Sequence, residues 1–369
     1  MSAPEHLLLR PVTVLTGFLG SGKTTTLARL LKAPEFAGTV AIINEFGEIG
    51  LDHLLIETSE ERFALLDNGC VCCTVRDDLV ETLLRLVARA EAGELPSLRR
   101  VVIETTGLAD PAPILHALMA DDRLACAYRI DGVLTTVDAV NGLRTLNAQK
   151  EAVKQAAVAD RLLVTKTDLV DEAALAPLLA RLAALNPTAQ IIRSREGDAP
   201  AAALVGAALE SNRAAAADVV ACFEQAARAA EHPRLRAETY DENCAEHGCL
   251  DPRHGLRHGE HISTFSIVFE APVRWTAFKQ WLEYLAMLKG EDLLRFKGLI
   301  HIAEKPETPI VVHGVQHVFH PPRELSGWPS ADRRTRLVFI TRGIPRTVIV
   351  NTLSKFAAVD VAHPRRPAA

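Results

Sequence analysis

The chain is 369 residues long, 48% apolar and 24% charged, which is ordinary globular composition with enough apolar material for more than one core. Its 41 Lys and Arg against 46 Asp and Glu leave a formal charge of -5, so no large basic surface advertises nucleic acid. The longest run free of Asp, Glu, Lys and Arg is Thr308–Pro322, only 15 residues long and bearing His313, His317 and His320, so no membrane span is expected.

Met1–His6 leads straight into an apolar segment with no secretory n-region or h-region, and the cytoplasm is the expected compartment. Strands are predicted at Val12–Thr16, Thr39–Asn44, Arg100–Thr105, Gly132–Val137, Arg161–Thr165 and Gln190–Ser194. Helical spacing of Leu, Val and Ala fills Thr24–Lys32, Asp77–Ala92, Pro113–Met119, Ala148–Ala157 and Ala173–Leu185. This alternation predicts an α/β fold, a mostly parallel sheet with helices on both faces. Ala199–Glu231 reads as helix, and Pro233–Glu260 as a polar loop or linker. From Ile262 a strand through Phe265, Ile267 and Phe269 precedes a helix at Arg274–Leu288. Strands at Leu294–Ile302, Ile310–Phe319 and Arg336–Thr341 and a helix at Pro345–Ala357 complete a smaller α+β domain with an antiparallel sheet.

Gly17-Phe-Leu-Gly20-Ser21-Gly22-Lys23-Thr24 fits the phosphate-loop pattern in its required place, between a strand and a helix. Gly17, Gly20, Ser21, Gly22 and Thr25 would surround the phosphates, Lys23 would reach the β- and γ-phosphates, and the Thr24 hydroxyl would ligate Mg²⁺. Asp168, in Thr165-Lys166-Thr167-Asp168, can accept both N–H groups of a guanine edge, with the Lys166 stem covering the base and Ser194 completing the pocket. A plain helix-capping turn is the competing reading of Asp168. Glu104-Thr105-Thr106-Gly107 ends another buried strand, placing Glu104 at the Mg²⁺ shell and the Gly107 N–H at the γ-phosphate. Asn44–Asp52 is a polar, glycine-hinged loop in which Glu45 or Asp52 can approach metal or phosphate. No residue stands out as a base for water, so intrinsic hydrolysis is expected to be slow.

The seven cysteines include Cys70, Cys72 and Cys73, just before a helix. Three thiolates at this spacing can fill three corners of a tetrahedron around Zn²⁺, or Co²⁺ or Cu⁺, leaving the fourth open. Cys244, His247 and Cys249 form a second, looser group of ligand types, which a solvated linker also explains. Cys126 and Cys222 read as core residues. His313 and His317 share a strand face too far apart to chelate one ion, and with His301 and His320 they suggest a polar sheet face.

Taken in order, G-F-L-G-S-G-K-T-T, N-E-F-G-E-I-G-L-D, G-C-V-C-C-T, E-T-T-G-L-A-D-P and T-K-T-D-L resemble the CobW-type family of P-loop GTPases. The resemblance implies GTP-dependent metal trafficking to a client metalloprotein or a metal-cofactor pathway enzyme, with no membrane partner, and it accommodates a metal- or nucleotide-dependent homodimer. It also implies a P-loop GTPase domain over 1–215, a Cys/His linker over 216–261, a CobW-like C-terminal domain over 262–359 and a tail over 360–369. Thr165 departs from the Asn usual in the family. An ATP-dependent small-molecule kinase and a metal-responsive regulatory or scaffold module are the rival readings.

Overall fold

The computed structural model describes residues 9–43, 63–65, 74–95, 98–195 and 262–357. The chain divides into two compact units.

In chain order the first unit contains β1 (Arg10–Gly17), α1 (Lys23–Leu30), β2 (Thr39–Ile43), β3 (Phe63–Leu65), α2 (Thr74–Glu91), β4 (Arg100–Glu104), α3 (Ala112–Ala120), α4 (Asp122–Ala125) and β5 (Tyr128–Asp138). It continues through α5 (Gly142–Ala148), α6 (Lys150–Val158), β6 (Arg161–Thr165), α7 (Glu172–Leu185) and β7 (Gln190–Arg193), the end of α7 grouping with the second unit. The strands form one sheet in the order β3-β2-β4-β1-β5-β6-β7, and every pair is parallel. Parallel neighbours need long crossovers, which the helices supply. A parallel sheet buried on both faces needs unbroken apolar strands, and Val12, Val14, Leu15, Val101 and Leu162 are all fully buried. Because β1 lies between β4 and β5, the loops leaving these three strands open side by side at their carboxyl ends, where such folds bind ligands. The register fixes the neighbours: Leu15 lies opposite Glu104, Gly17 opposite Thr136, and Asp138 opposite Thr165.

Two elements escape the hydrophobic pattern. β3 is three residues long, and α5 opens on Gly142, a poor helix former whose missing Cβ would stand 2.8 Å from Val137. β5 starts at Tyr128 rather than Gly132, because Tyr-Arg-Ile-Asp mixes charge into a buried strand. The Tyr128 hydroxyl donates to the Leu83 carbonyl at 2.9 Å, and Asp131 accepts from Arg100 at 2.9 Å. Cys126, expected in the core, is exposed: it follows the single-turn α4 as its C-cap. Cys222, the predicted helix Ala199–Glu231 and the predicted 216–261 linker lie outside the described residues, as does the tail 360–369.

The second unit holds β8 (Ile262–Phe269), α8 (Trp275–Lys289), β9 (Arg295–Ile300), β10 (Ile310–Val315), β11 (Val318–Phe319), β12 (Arg323–Glu324), β13 (Thr335–Arg342) and α9 (Arg346–Ala357). Its antiparallel sheet runs β11-β10-β9-β13-β8, with β12 pairing β10. Phe278, Trp281, Phe296, Phe339 and Leu353 form a fully buried core between sheet and helices.

The predicted run Ile310–Phe319 is in fact a hairpin, broken at Gln316, whose φ of 56° is left-handed. The turn brings the rings of His313 and His320 together, centroids 3.9 Å apart and planes inclined at 40°. His301 instead meets the edge of Trp328, and His317 lies against Gly290. By strand alternation His301 and His313 share a sheet face with the buried Leu299 and Val311, so the histidines do not form a continuous polar face. No helix among the described residues is long and apolar enough to cross a membrane.

Candidate functional site

The phosphate loop takes its shape from glycine. Gly17 has a φ of 143°, and a Cβ there would lie 2.3 Å from Thr136 Oγ1 and 2.5 Å from the Thr136 carbonyl, so only glycine lets the loop leave β1 against β5. Gly22, with a φ of 92°, is the N-cap of α1 and offers no capping side chain, and the first turn carries no acid. The uncapped amides and the positive helix end therefore face the loop, an arrangement suited to an anion. Lys23 is buried to 8% exposure and donates from Nζ to the Gly17 carbonyl at 3.0 Å and the Phe18 carbonyl at 3.4 Å. Thr24 and Thr25 are exposed at the start of the helix.

Glu104, at the end of β4, is only 4% exposed, and its Oε1 accepts from Thr24 Oγ1 at 2.7 Å. A hydroxyl and a carboxylate this close, beside a phosphate loop, are the hard oxygen donors that Mg²⁺ takes, so these residues fit that ion. Thr105 Oγ1 donates to Thr16 Oγ1 at 2.8 Å, and Gly107 packs so tightly on the loop that a Cβ would come within 2.8 Å of the Leu19 nitrogen. The segments after β1 and β4 are thereby locked together.

The same is true on the β6 side. The Thr165 hydroxyl, 4% exposed as part of its residue, donates to the Ser21 carbonyl at 2.7 Å and lies 3.3 Å from the Val137 carbonyl. Lys166, in a left-handed conformation with a φ of 58°, donates to the Gly20 carbonyl at 2.8 Å and to Asp138 at 2.9 Å. Thr165 thus faces the phosphate loop and serves it as a clamp. Asp168 stands exposed on the 3-10 turn Thr167–Leu169, which is tied to the end of β7 by Thr167 Oγ1 donating to the Ser194 carbonyl at 2.7 Å. Ser194 itself is fully buried, so what it gives this turn is its backbone.

Sequence reasoning overlooked Asp138, Thr136 and Gln155. Burial opposes the Asp138 charge, but hydrogen bonds from Lys166, the Asn141 side chain and the Val140 and Asn141 amides outweigh it, and its carboxyl lies below the ordinary range. A lone acid at the end of the strand Thr135-Thr136-Val137-Asp138 was the available signal. Thr136 shares a 2.6 Å hydrogen bond with Ser21. A cleft of about 350 Å³ opens here, bordered by Phe18–Ser21, the end of β5, Lys166, and residues of α5 and α6 including Gln155.

Cys70, Cys72, Cys73, Glu45 and Asp52 lie outside the described residues, as do Cys244, His247 and Cys249. In sequence, Cys73 immediately precedes Thr74, the first residue of α2.

A family model described as the CobW/HypB/UreG nucleotide-binding domain matches residues 11–193, and one described as the cobalamin synthesis protein cobW C-terminal domain matches residues 262–357. The chain is 32% identical over 341 residues to the zinc chaperone YjiA of Escherichia coli (strain K12), spanning 92% of this chain and 96% of that one. It is 29% identical over 377 residues to the zinc chaperone CobW of Pseudomonas aeruginosa, spanning 93% and 90%. The crystal structure of Zn(II)-bound YjiA GTPase from E. coli matches with a TM-score of 0.65 at 26% identity, over 95% of this chain and 99% of that one.

Proposed function

The chain belongs to the CobW/HypB/UreG family of nucleotide-binding proteins, and we propose that it is a GTP-hydrolysing metallochaperone that carries Zn²⁺, with Co²⁺ as the alternative cargo, to a client metalloprotein. The observation that carries this reading is the double clamp of Thr165 and Lys166 on the carbonyls of Ser21 and Gly20, which joins the base-reading segment to the phosphate loop.

The amides of Gly20 to Thr24 receive phosphate oxygens, and the Lys23 ammonium exchanges the Gly17 and Phe18 carbonyls for the β- and γ-phosphates. Thr24 and Glu104 would hold Mg²⁺, which neutralises developing phosphate charge when bound. Gly107 offers its N–H to the γ-phosphate. Asp168 accepts the paired N–H groups of guanine, a pair that adenine does not present at that edge. Cys70, Cys72 and Cys73 take the cargo ion as thiolates, their ionisation favoured just ahead of the N-terminus of α2. Delivery requires that the triphosphate and diphosphate forms differ in metal affinity, since equal affinity shifts nothing.

The test is a titration of Zn²⁺ and Co²⁺ into the GTP-analogue and GDP forms, beside competition between GTP and ATP. The reading expects guanine preference, nucleotide-dependent metal affinity, and loss of one bound ion in Cys72→Ala with GTP binding intact. ATP bound as tightly as GTP, or metal stoichiometry unchanged in that variant, would overturn it.

A further inference from the structure

Gln155 stands out because packing alone does not account for it. It sits in the Ala-rich helix α6, is 1% exposed, and its Oε1 has no hydrogen-bond partner among the described residues. A buried unpaired carbonyl is costly, and methionine would fill the same space without that cost. What the amide does supply is two N–H donors on one nitrogen. Nε2 donates to the Gly107 carbonyl at 3.1 Å and to the Ala109 carbonyl at 3.0 Å, 48 and 46 residues away in sequence. Both partners are acceptors, so the orientation of the amide follows from chemistry. The Gln155 backbone is itself held, its carbonyl accepting from Thr135 Oγ1 on β5 at 3.0 Å.

We propose that Gln155 is the positioning residue that sets the Gly107 N–H against the phosphate loop. On one side Gly107 abuts Leu19 of that loop, with no room even for a Cβ. On the other, Gln155 grips the carbonyls of residues 107 and 109, so the segment cannot swing away without breaking two buried hydrogen bonds. The neighbouring Lys154–Asp110 pair, at 2.6 Å, is partly exposed and adds little to this hold. Gln155 touches neither phosphate nor water in this scheme. It acts through Gly107, and the inference rests on the reading of Gly107 as the γ-phosphate contact.

The experiment compares affinities for a non-hydrolysable GTP analogue and for GDP, with the kcat and KM of GTP hydrolysis, in wild type, Gln155→Met, Gln155→Glu and Lys154→Met. Wild type favours the triphosphate. Loss of the two bonds lowers that preference about tenfold in both Gln155 variants, lowers kcat, and leaves GDP affinity unchanged, because GDP has no γ-phosphate. Unchanged GDP affinity also shows that the fold is intact. Lys154→Met keeps the preference within about twofold. A wild type that does not favour the triphosphate would overturn the Gly107 reading and this inference with it. If wild type favours it and the Gln155 variants keep that ratio, lose GDP affinity equally, or shift it no more than Lys154→Met, only the role of Gln155 falls.

Discussion

Replacing Thr165 with Val tests whether the segment after β6 clamps the phosphate loop. The two side chains have nearly the same shape, and the site is 4% exposed, so the change removes a donor with little change in packing. The lost hydrogen bond is the 2.7 Å one to the carbonyl of Ser21, a residue only 2% exposed; the 3.3 Å approach to the Val137 carbonyl is longer and weaker. Leaving a buried carbonyl unpaired costs about 1–3 kcal/mol. The added methyl returns roughly 0.8 kcal/mol at most. The net expectation is about 0.2–2 kcal/mol of lost stability, seen as a lower urea midpoint at unchanged m-value. If the loss falls on the binding-competent loop, GTP affinity drops by up to about thirtyfold. Thr165→Ser keeps the hydroxyl and should remain near wild type in both measurements. A Thr165→Val protein that unfolds and binds GTP as wild type does would refute the reasoning.

Gly17→Ala should abolish nucleotide binding measured by calorimetry, since its Cβ meets Thr136 at 2.3 Å and at 2.5 Å from a backbone carbonyl that cannot step aside. Retained micromolar binding would show that the loop re-forms around the clash. The lowered pKa of Asp138 gives a definite pH sign: its contribution to stability is complete above its unfolded value of about 3.9 and is lost as pH falls through the lower folded value. The stability gap between wild type and Asp138→Asn should therefore close on acidification below about pH 4, and a gap constant with pH would exclude the Lys166 pairing as its origin. In the C-terminal unit, Trp281→Ala removes a fully buried ring and its 3.1 Å hydrogen bond to Thr352, at a cost of about 3–5 kcal/mol. All three tryptophans, Trp275, Trp281 and Trp328, lie within 262–357, so the remaining fluorescence reports that unit directly. Unfolding at the wild-type midpoint would rule out this core.

Much of the architecture was legible because it is local. Apolar runs with helical spacing between them named the strands β1, β2, β4, β6 and β7, and glycine with lysine at fixed offsets named the phosphate loop. Glu104 was legible for the same reason, as an acid at the end of a buried strand, and the structure sets it 2.7 Å from Thr24. Elements that do not bury a continuous apolar face were missed, such as the three-residue β3 and the glycine-led α5. The run Ile310–Phe319 looked like one strand because its apolar residues continue through the turn, which a single left-handed residue, Gln316, makes.

What sequence alone determined, then, was the inventory: a phosphate loop, an acid in the turn after a buried strand, a cluster of three thiols and a second domain of different topology. Tertiary structure decided which of these groups hold one another. Thr165 reads as a departure from a motif until the sheet order carries it to the Ser21 carbonyl, 144 residues earlier in the chain. Gln155 reads as one polar residue in an alanine helix until two carbonyls of a distant loop arrive at its nitrogen. The physical reason is the same in both cases. Patterns of hydrophobicity and glycine act over a few residues, whereas the partner of a buried hydrogen bond is set by strand order and register, which no local window contains.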